Sequence, residues 1–120
     1  IETLRIPGSP NIIQYHQLDY LSDKSVKQFI HLLSDLDRVD VLINNAGVNK
    51  IDNISKISID DWDWINTINL KGPFLLTQAV SENMKKQNSG KIINIASIFS
   101  VISKVKRAVY SATKCWCKQC

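Results

Sequence analysis

The spacing of apolar residues changes along the chain from segment to segment. Asn11–Leu18 (NIIQYHQL) is a β-branched and aromatic run behind a Gly-Ser-Pro turn signal, and it reads as a strand. Asp19 ends it. Ser22 then offers an N-cap with Asp23 in the first turn. Val26, Phe29, Ile30 and Leu33 follow at helical spacing, which predicts an amphipathic helix over 23–35. Val39–Ile43 is a short apolar run of the kind buried on both faces of a sheet, and it breaks at the turn-forming Asn44-Asn45-Ala46-Gly47. Ser58 caps a long helical pattern through Ile59, Trp62, Ile65, Ile68, Leu70, Phe74, Leu75, Ala79 and Met84. Gly72-Pro73 lies inside it and predicts a kink or a split, because proline removes a helix hydrogen bond. Trp62 and Trp64 fall on different faces, with Trp62 assigned to the core. Asn88-Ser89-Gly90 is a stop. Lys91–Ala96 is a third buried strand, 97–107 a loop, and a last helix starts near Ala108.

Strand and helix alternate three times, the pattern of an α/β fold with a parallel sheet and right-handed crossovers. Each strand ends in a polar cluster: Asp19, then Asn44-Asn45, then Ser97. In open parallel sheets ligands bind beyond those strand ends, so a site is expected there. Three strands leave two open edges, and exposed edges with an apolar helix face predict a tendency to associate.

The 120 residues are 44% hydrophobic and 22% charged, which suits one globular domain and is too little for two. No run of about 18 apolar residues is present, so no membrane span is expected. The opening IETLRIPGSP lacks the basic-then-apolar pattern of a secretory leader, and there is no initiator Met, so the chain is expected to be part of a longer one. Charge is uneven. Residues 1–82 carry 7 Lys/Arg and all 11 Asp/Glu, whereas 83–120 carry 8 Lys/Arg and no acid. The basic residues are scattered singly among apolar ones, so the basic end is read as lacking its acidic neighbours rather than as a nucleic-acid surface. The Trp pair as a base-stacking platform finds no further support. Cys115, Cys117 and Cys120 have no nearby His and no fourth ligand, so no metal site is expected; nor do they form a disulfide framework, which favours the reducing cytoplasm.

Tyr110 and Lys114 stand four apart at the start of the last helix, on one face. An ammonium beside a phenol favours the phenolate, the tuning a general acid–base group needs. Alone, this pair is a common coincidence. Singly, Asn44-Asn45-Gly47 also reads as a turn, Asn69 as a helix-surface residue, Ser97 as a loop cap, and Asp19 as the start of a turn before Ser22.

Together the residues say more. Asn44-Asn45-Ala46-Gly47 after the second strand, Asn69 within Ile68-Asn69-Leu70-Lys71-Gly72, Ser97 within Asn94-Ile95-Ala96-Ser97, and the Tyr110/Lys114 pair are separated by 24, 28, 13 and 4 residues counted from Asn45. In this the chain resembles the short-chain dehydrogenase/reductase family, in its ordinary, non-extended branch, from about residue 11 to 114. Leu18-Asp19-Tyr20-Leu21-Ser22-Asp23 is similar to that family's D-x-x-D segment. The resemblance implies a Rossmann-like three-layer sandwich, here a single incomplete NAD(P)-binding domain over 1–120. It implies an oxidoreductase passing hydride between NAD or NADP and a small ketone or secondary alcohol, with a β-ketoacyl carrier-protein reductase as the nearer analogy.

The same resemblance implies the roles. Tyr110 moves the proton and Ser97 holds the substrate oxygen. Lys114 binds the ribose and supports the phenolate. The main-chain carbonyl of Asn69 holds a relay water at a helix irregularity. Asp19, Tyr20, Asn45, Ala46 and Gly47, with Tyr110 and Lys114, line the cofactor. No metal, nucleic acid or membrane is implied, and the full-length form is expected to be a homo-oligomer built through the long helix and the Tyr/Lys helix. Two departures stand out. The four glycines lie at 8, 47, 72 and 90, so no G-x-x-x-G-x-G phosphate turn is among these residues, and Cys115-Trp116-Cys117 replaces the small residues usual after the Lys. A non-catalytic cofactor-sensing or interaction module, or a degenerate relative, is the alternative.

Overall fold

The computed structural model describes residues 2–5, 12–102 and 104–116. In chain order it has β1 (Glu2–Arg5), β2 (Ile12–Tyr15), α1 (Asp23–Ser34), β3 (Val41–Asn44), α2 (Ile59–Asn66), a π-helical segment (Thr67–Lys71), α3 (Gly72–Gln87), β4 (Lys91–Asn94) and α4 (Ala108–Trp116). Short 3-10 turns lie at Ile54–Lys56 and Ile98–Ser100.

β3 and β4 run parallel, with Val41 opposite Lys91 and Asn44 opposite Asn94. The helices α1 and α3 cover one face of this pair. Leu33, Leu76, Val80 and Met84 form the core there, with Phe29, Leu42 and Ala79 packed against them. On the opposite face Val41, Ile43 and Ile93 are 44–58% exposed. A second contact joins α2, where Ile65 is buried, and α4, where Val109 is buried.

The helix boundaries follow local chemistry. The Ser22 hydroxyl accepts the Ser25 N–H at α1. A reciprocal capping box of Ser58 and Asp61 starts α2. Asn88, at φ 53, closes α3 in the left-handed conformation, while the Ser89 N–H reaches the Met84 carbonyl.

Three expectations are corrected. The apolar runs Val39–Ile43 and Lys91–Ala96, read as buried strands, form β3 and β4 with Val41, Ile43 and Ile93 exposed, because the α1–α3 core packs on one face of the pair only. The strand predicted over 11–18 is confined to Ile12–Tyr15 and pairs antiparallel with Glu2–Arg5, so it is not part of the β3–β4 sheet, which has two strands among the described residues. All four β2 residues are exposed. β-branched composition specifies an extended backbone, not a partner, and a partner a few residues away costs the least closure entropy. Trp62 is 46% exposed instead of buried in the core. It lies in an apolar groove between α2 and α4 with Ile57, Ile59 and Val109, while Ile65 fills the buried position on that helix.

Candidate active site

The long helix does break, and the break has a defined form. The Gly72 N–H reaches back five residues to the Thr67 carbonyl, so Thr67–Lys71 is a π segment. Pro73 has no N–H to offer the carbonyl four residues back, that of Asn69, or the one five back, that of Ile68. Pro73 therefore leaves the Asn69 main-chain carbonyl without its α-helical donor.

The Asn69 side chain is 1% exposed, which corrects its single-residue reading as a helix-surface group. Its Oδ1 accepts the Val48 N–H at 2.8 Å, and its Nδ2 donates to the Val48 carbonyl at 2.9 Å and to the Thr113 hydroxyl at 3.0 Å. One carboxamide thus ties the loop after β3 to the π segment and to α4.

Lys114 is 5% exposed. Its ammonium donates to the Ile95 carbonyl just past β4, at 2.9 Å, and lies 5.8 Å from the centre of the Tyr110 ring. Among the described residues no carboxylate pairs with it, and two of its three N–H donors have no partner. A buried ammonium so placed is poised to bind further acceptors. Gly47 sits directly beside it: a Cβ there would stand 3.2 Å from Lys114 Nζ and 3.6 Å from Asn69 Oδ1. Only glycine leaves this cradle open.

Ser97 is half-buried and caps the turn at Ile98–Ser100, its Oγ accepting the Phe99 N–H at 3.3 Å. That leaves its O–H free to donate. Phe99 meets Tyr110 edge-on at 6.3 Å, and the Arg107 guanidinium lies 4.9 Å over the Phe99 ring. Ser97, Tyr110 and Lys114 are therefore gathered at one rim, past the carboxyl end of β4. Asn69 joins them through Thr113.

The other expected cofactor residues are looser. Asn45, Ala46 and Gly47 are exposed past the end of β3, while Asn44 is buried and donates to Asn94 Oδ1 and Thr77 Oγ1 at 2.9 and 3.2 Å. Asp19 is exposed; one carboxylate oxygen accepts the Leu21 N–H at 2.9 Å, and its backbone N–H donates to Ser25 Oγ. Tyr20 packs against the α1–α3 core, with its ring over Gly72, where a Cβ would come within 2.6 Å. Burial pushes its phenol up from the ordinary value, so it stays protonated. Its side chain is used in packing, which leaves its backbone for any ligand contact.

Thr113 and the backbone of Val48 were not anticipated. The available signal was a hydroxyl inside the Tyr-x-x-x-Lys run, three residues past Tyr110, where it can bond the preceding turn. Cys115 is a free, exposed thiol, and Cys117 and Cys120 lie outside the described residues. No cluster of metal ligands occurs among the described residues, and no helix there is long and apolar enough to cross a membrane.

Comparison with known proteins places this geometry. The family profile described as short chain dehydrogenase matches residues 7–119. A 3-oxoacyl-[acyl-carrier-protein] reductase of Synechocystis sp. is 36% identical over 104 residues, covering 87% of this chain and 39% of the relative. The chain thus spans about two-fifths of that relative's length. Among solved structures, a metagenomic short-chain oxidoreductase in complex with NADP superposes with a TM-score of 0.79 at 31% identity, over 87% of this chain and 47% of the other. A 4-hydroxyisoleucine dehydrogenase complexed with NADH gives 0.76 at 28% identity, over 85% and 46%. The α/β fold expected from the strand–helix alternation is that of these Rossmann-type enzymes.

Proposed function

The chain belongs to the short chain dehydrogenase family, and from that premise we propose that its residues form the proton-handling and ribose-binding part of an NAD- or NADP-dependent oxidoreductase that interconverts a ketone and a secondary alcohol. The single observation that carries the reading is the buried, unpaired Lys114 ammonium between the open Gly47 cradle, the Ile95 carbonyl and the Tyr110 ring.

The dinucleotide, when bound, supplies or accepts the hydride. Lys114 offers its two free N–H donors to the ribose hydroxyls, and Gly47 lets the cofactor approach the backbone. Asn45 and Ala46 line the same side, and the free carboxylate oxygen of Asp19, with the Tyr20 backbone, takes the adenine end. Tyr110 gives its proton to the substrate oxygen, or takes one from it, and the Ser97 hydroxyl holds that oxygen beside it. Water on the Asn69 carbonyl passes that proton between Lys114 and solvent, inward when the ketone is reduced and outward when the alcohol is oxidised.

The 120 residues are read as part of one dinucleotide-binding domain. A 3-oxoacyl carrier-protein substrate is the nearer assignment, supported by the name of the Synechocystis relative. A homo-oligomer through α2, α3 and α4 is supported by Ile59, Trp62 and Phe74, which are 46–75% exposed. A cytoplasmic setting is supported by the cysteine pattern of the sequence, three residues clustered at 115, 117 and 120 with none elsewhere to make a disulfide framework. The relatives and structures named above are themselves enzymes, which disfavours a non-catalytic module.

Turnover tests the reading. Within any polypeptide that carries this segment, Tyr110→Phe is expected to lower NAD(P)H-dependent ketone reduction about a hundredfold or more. Full activity in that variant refutes the assignment. The 120 residues alone hold no glycine-rich phosphate turn and are expected to bind the dinucleotide weakly and turn over nothing measurable. Ketone reduction by them would overturn that expectation.

A further inference from the structure

We propose that Thr113 is the positioning residue of this site: its hydroxyl is the joint that locks the helix carrying Tyr110 and Lys114 onto Asn69. It is 1% exposed, the most buried of the described side chains of α4. Its Oγ1 donates to the Tyr110 carbonyl at 2.8 Å and accepts from Asn69 Nδ2 at 3.0 Å. Both hydrogen-bonding capacities are thus spent, one on the residue that carries the phenol and one on the carboxamide that grips Val48. Val48 follows Gly47, whose open Cβ position faces Lys114 Nζ. The chain of contacts therefore closes into a ring: Lys114, Gly47, Val48, Asn69, Thr113, and back to Lys114 one residue on. A hydroxyl can both give and take at that point. Valine has the same shape and offers neither; serine keeps both.

The functional meaning of the joint rests on the reading of Lys114 and Tyr110 given above, but its test needs neither cofactor nor substrate. Nuclear magnetic resonance on the isotopically labelled chain gives three readouts. In the wild type, the two Nδ2 protons of Asn69 are expected to exchange with solvent at least tenfold more slowly than those of the exposed Asn53 and Asn88. In Thr113→Val, the Lys114 side-chain signal is expected to move toward those of the exposed Lys104 and Lys106, and the Val48 amide to exchange about tenfold faster. In Thr113→Ser, both are expected within twofold of wild type.

A Thr113→Val chain that melts earlier yet leaves Lys114 and Val48 unchanged reduces Thr113 to ordinary packing and overturns the proposal. So does a serine variant that behaves like valine. Should the valine variant fail to fold, the wild-type exchange rates and the serine variant decide alone, and Asn69 protons exchanging as fast as those of Asn53 overturn the joint. A joint that holds in a protein whose turnover ignores Tyr110→Phe removes the catalytic reading and leaves the joint. Tyr110-dependent turnover with freely exchanging Asn69 protons removes only the joint.

Discussion

Two carboxamides grip the backbone at the two ends of β3, and they differ in what surrounds them. At the entry, Gln87 accepts the Val39 N–H at 2.9 Å and donates to the Val39 carbonyl at 3.0 Å, with a further donation to Ser89. At the exit, Asn69 treats Val48 the same way and spends its further donation on Thr113. Gln87 is half-buried at a helix end, where water replaces what it loses; Asn69 is sealed off from water. Identical bonds therefore have different consequences, because a hydrogen bond in a protein matters most through the cost of leaving its partner unsatisfied in the dark of the core. The chain has placed the more consequential of the two clamps beside Lys114, where a displaced loop would move the site.

The sharpest way to break this contrast is Asn69→Leu, which keeps the branched heavy-atom shape and removes every side-chain bond. It leaves the half-buried Val48 N–H and carbonyl unmet and takes from the buried Thr113 hydroxyl the donor it accepts, while that hydroxyl keeps its bond to the Tyr110 carbonyl; each group left unmet costs about 1–3 kcal/mol. A fall in the melting temperature of about 10 °C or more is expected by thermal unfolding. Gln87→Met should cost about 1 kcal/mol and a few degrees, since solvent reaches the groups it releases. The two clamps share no partner, so the double variant should add to within about 0.5 kcal/mol. Equal losses at the two ends would end the distinction.

Gly47→Ala probes the same exit end more gently. The added methyl group meets the flexible tip of Lys114 at 3.2 Å, so the ammonium can give way by a few tenths of an ångström. Stability should change by about 1 kcal/mol or less, read from denaturant unfolding. Under the proposed function, dinucleotide affinity should fall well beyond that, because the cradle is filled. A loss of stability as large as that of Asn69→Leu would mean the cradle is rigid.

How much of this was visible beforehand depends on how local each cause is. Ser22, Ser58 and the Asn88 stop were legible, because a cap acts on backbone groups within three or four residues. Gly72-Pro73 was legible as a break, since proline's missing N–H is a property of one residue. The burial of Asn69 was not: its partners at Val48 and Thr113 lie 21 and 44 residues away, and nothing in its own helix distinguishes it from Asn66, which merely bonds the Trp62 carbonyl. Only the resemblance to the short-chain dehydrogenase/reductase family, carried by the ordered spacing with Ser97, Tyr110 and Lys114, singled it out. The partner of β2 was illegible for a different reason: it lies only a short loop away, but a β-branched run specifies an extended backbone and not what it pairs with. Trp62 shows that an apolar stripe marks a face without saying which part of it finds cover. Ser97 and Asp19 do the local turn chemistry expected of each alone, and that chemistry leaves the Ser97 O–H and the second Asp19 carboxylate oxygen unused.

The smallest effect is expected at the capping box of α2, which stands in solvent and so belongs with Gln87 in this contrast. The Ser58 hydroxyl beside Asp61 is the main reason that its carboxyl sits below the ordinary value of 3.8, with the Ser58 backbone N–H and Lys50 adding to it. The folded chain therefore takes up this proton less readily than the unfolded one. The stability Asp61 lends is present above the ordinary value and is lost as pH falls through the lowered one. Ser58→Ala removes the chief cause, so the variant has less to lose on acidification. Melting temperatures recorded from about pH 7 to about pH 2 should show the gap between wild type and variant narrowing below about pH 4, without closing, because the cap on the Asp61 N–H is lost at every pH. A gap that stays constant or widens in acid would show that Asp61 is held by something other than Ser58, and that even this exposed box is less local than its geometry implies.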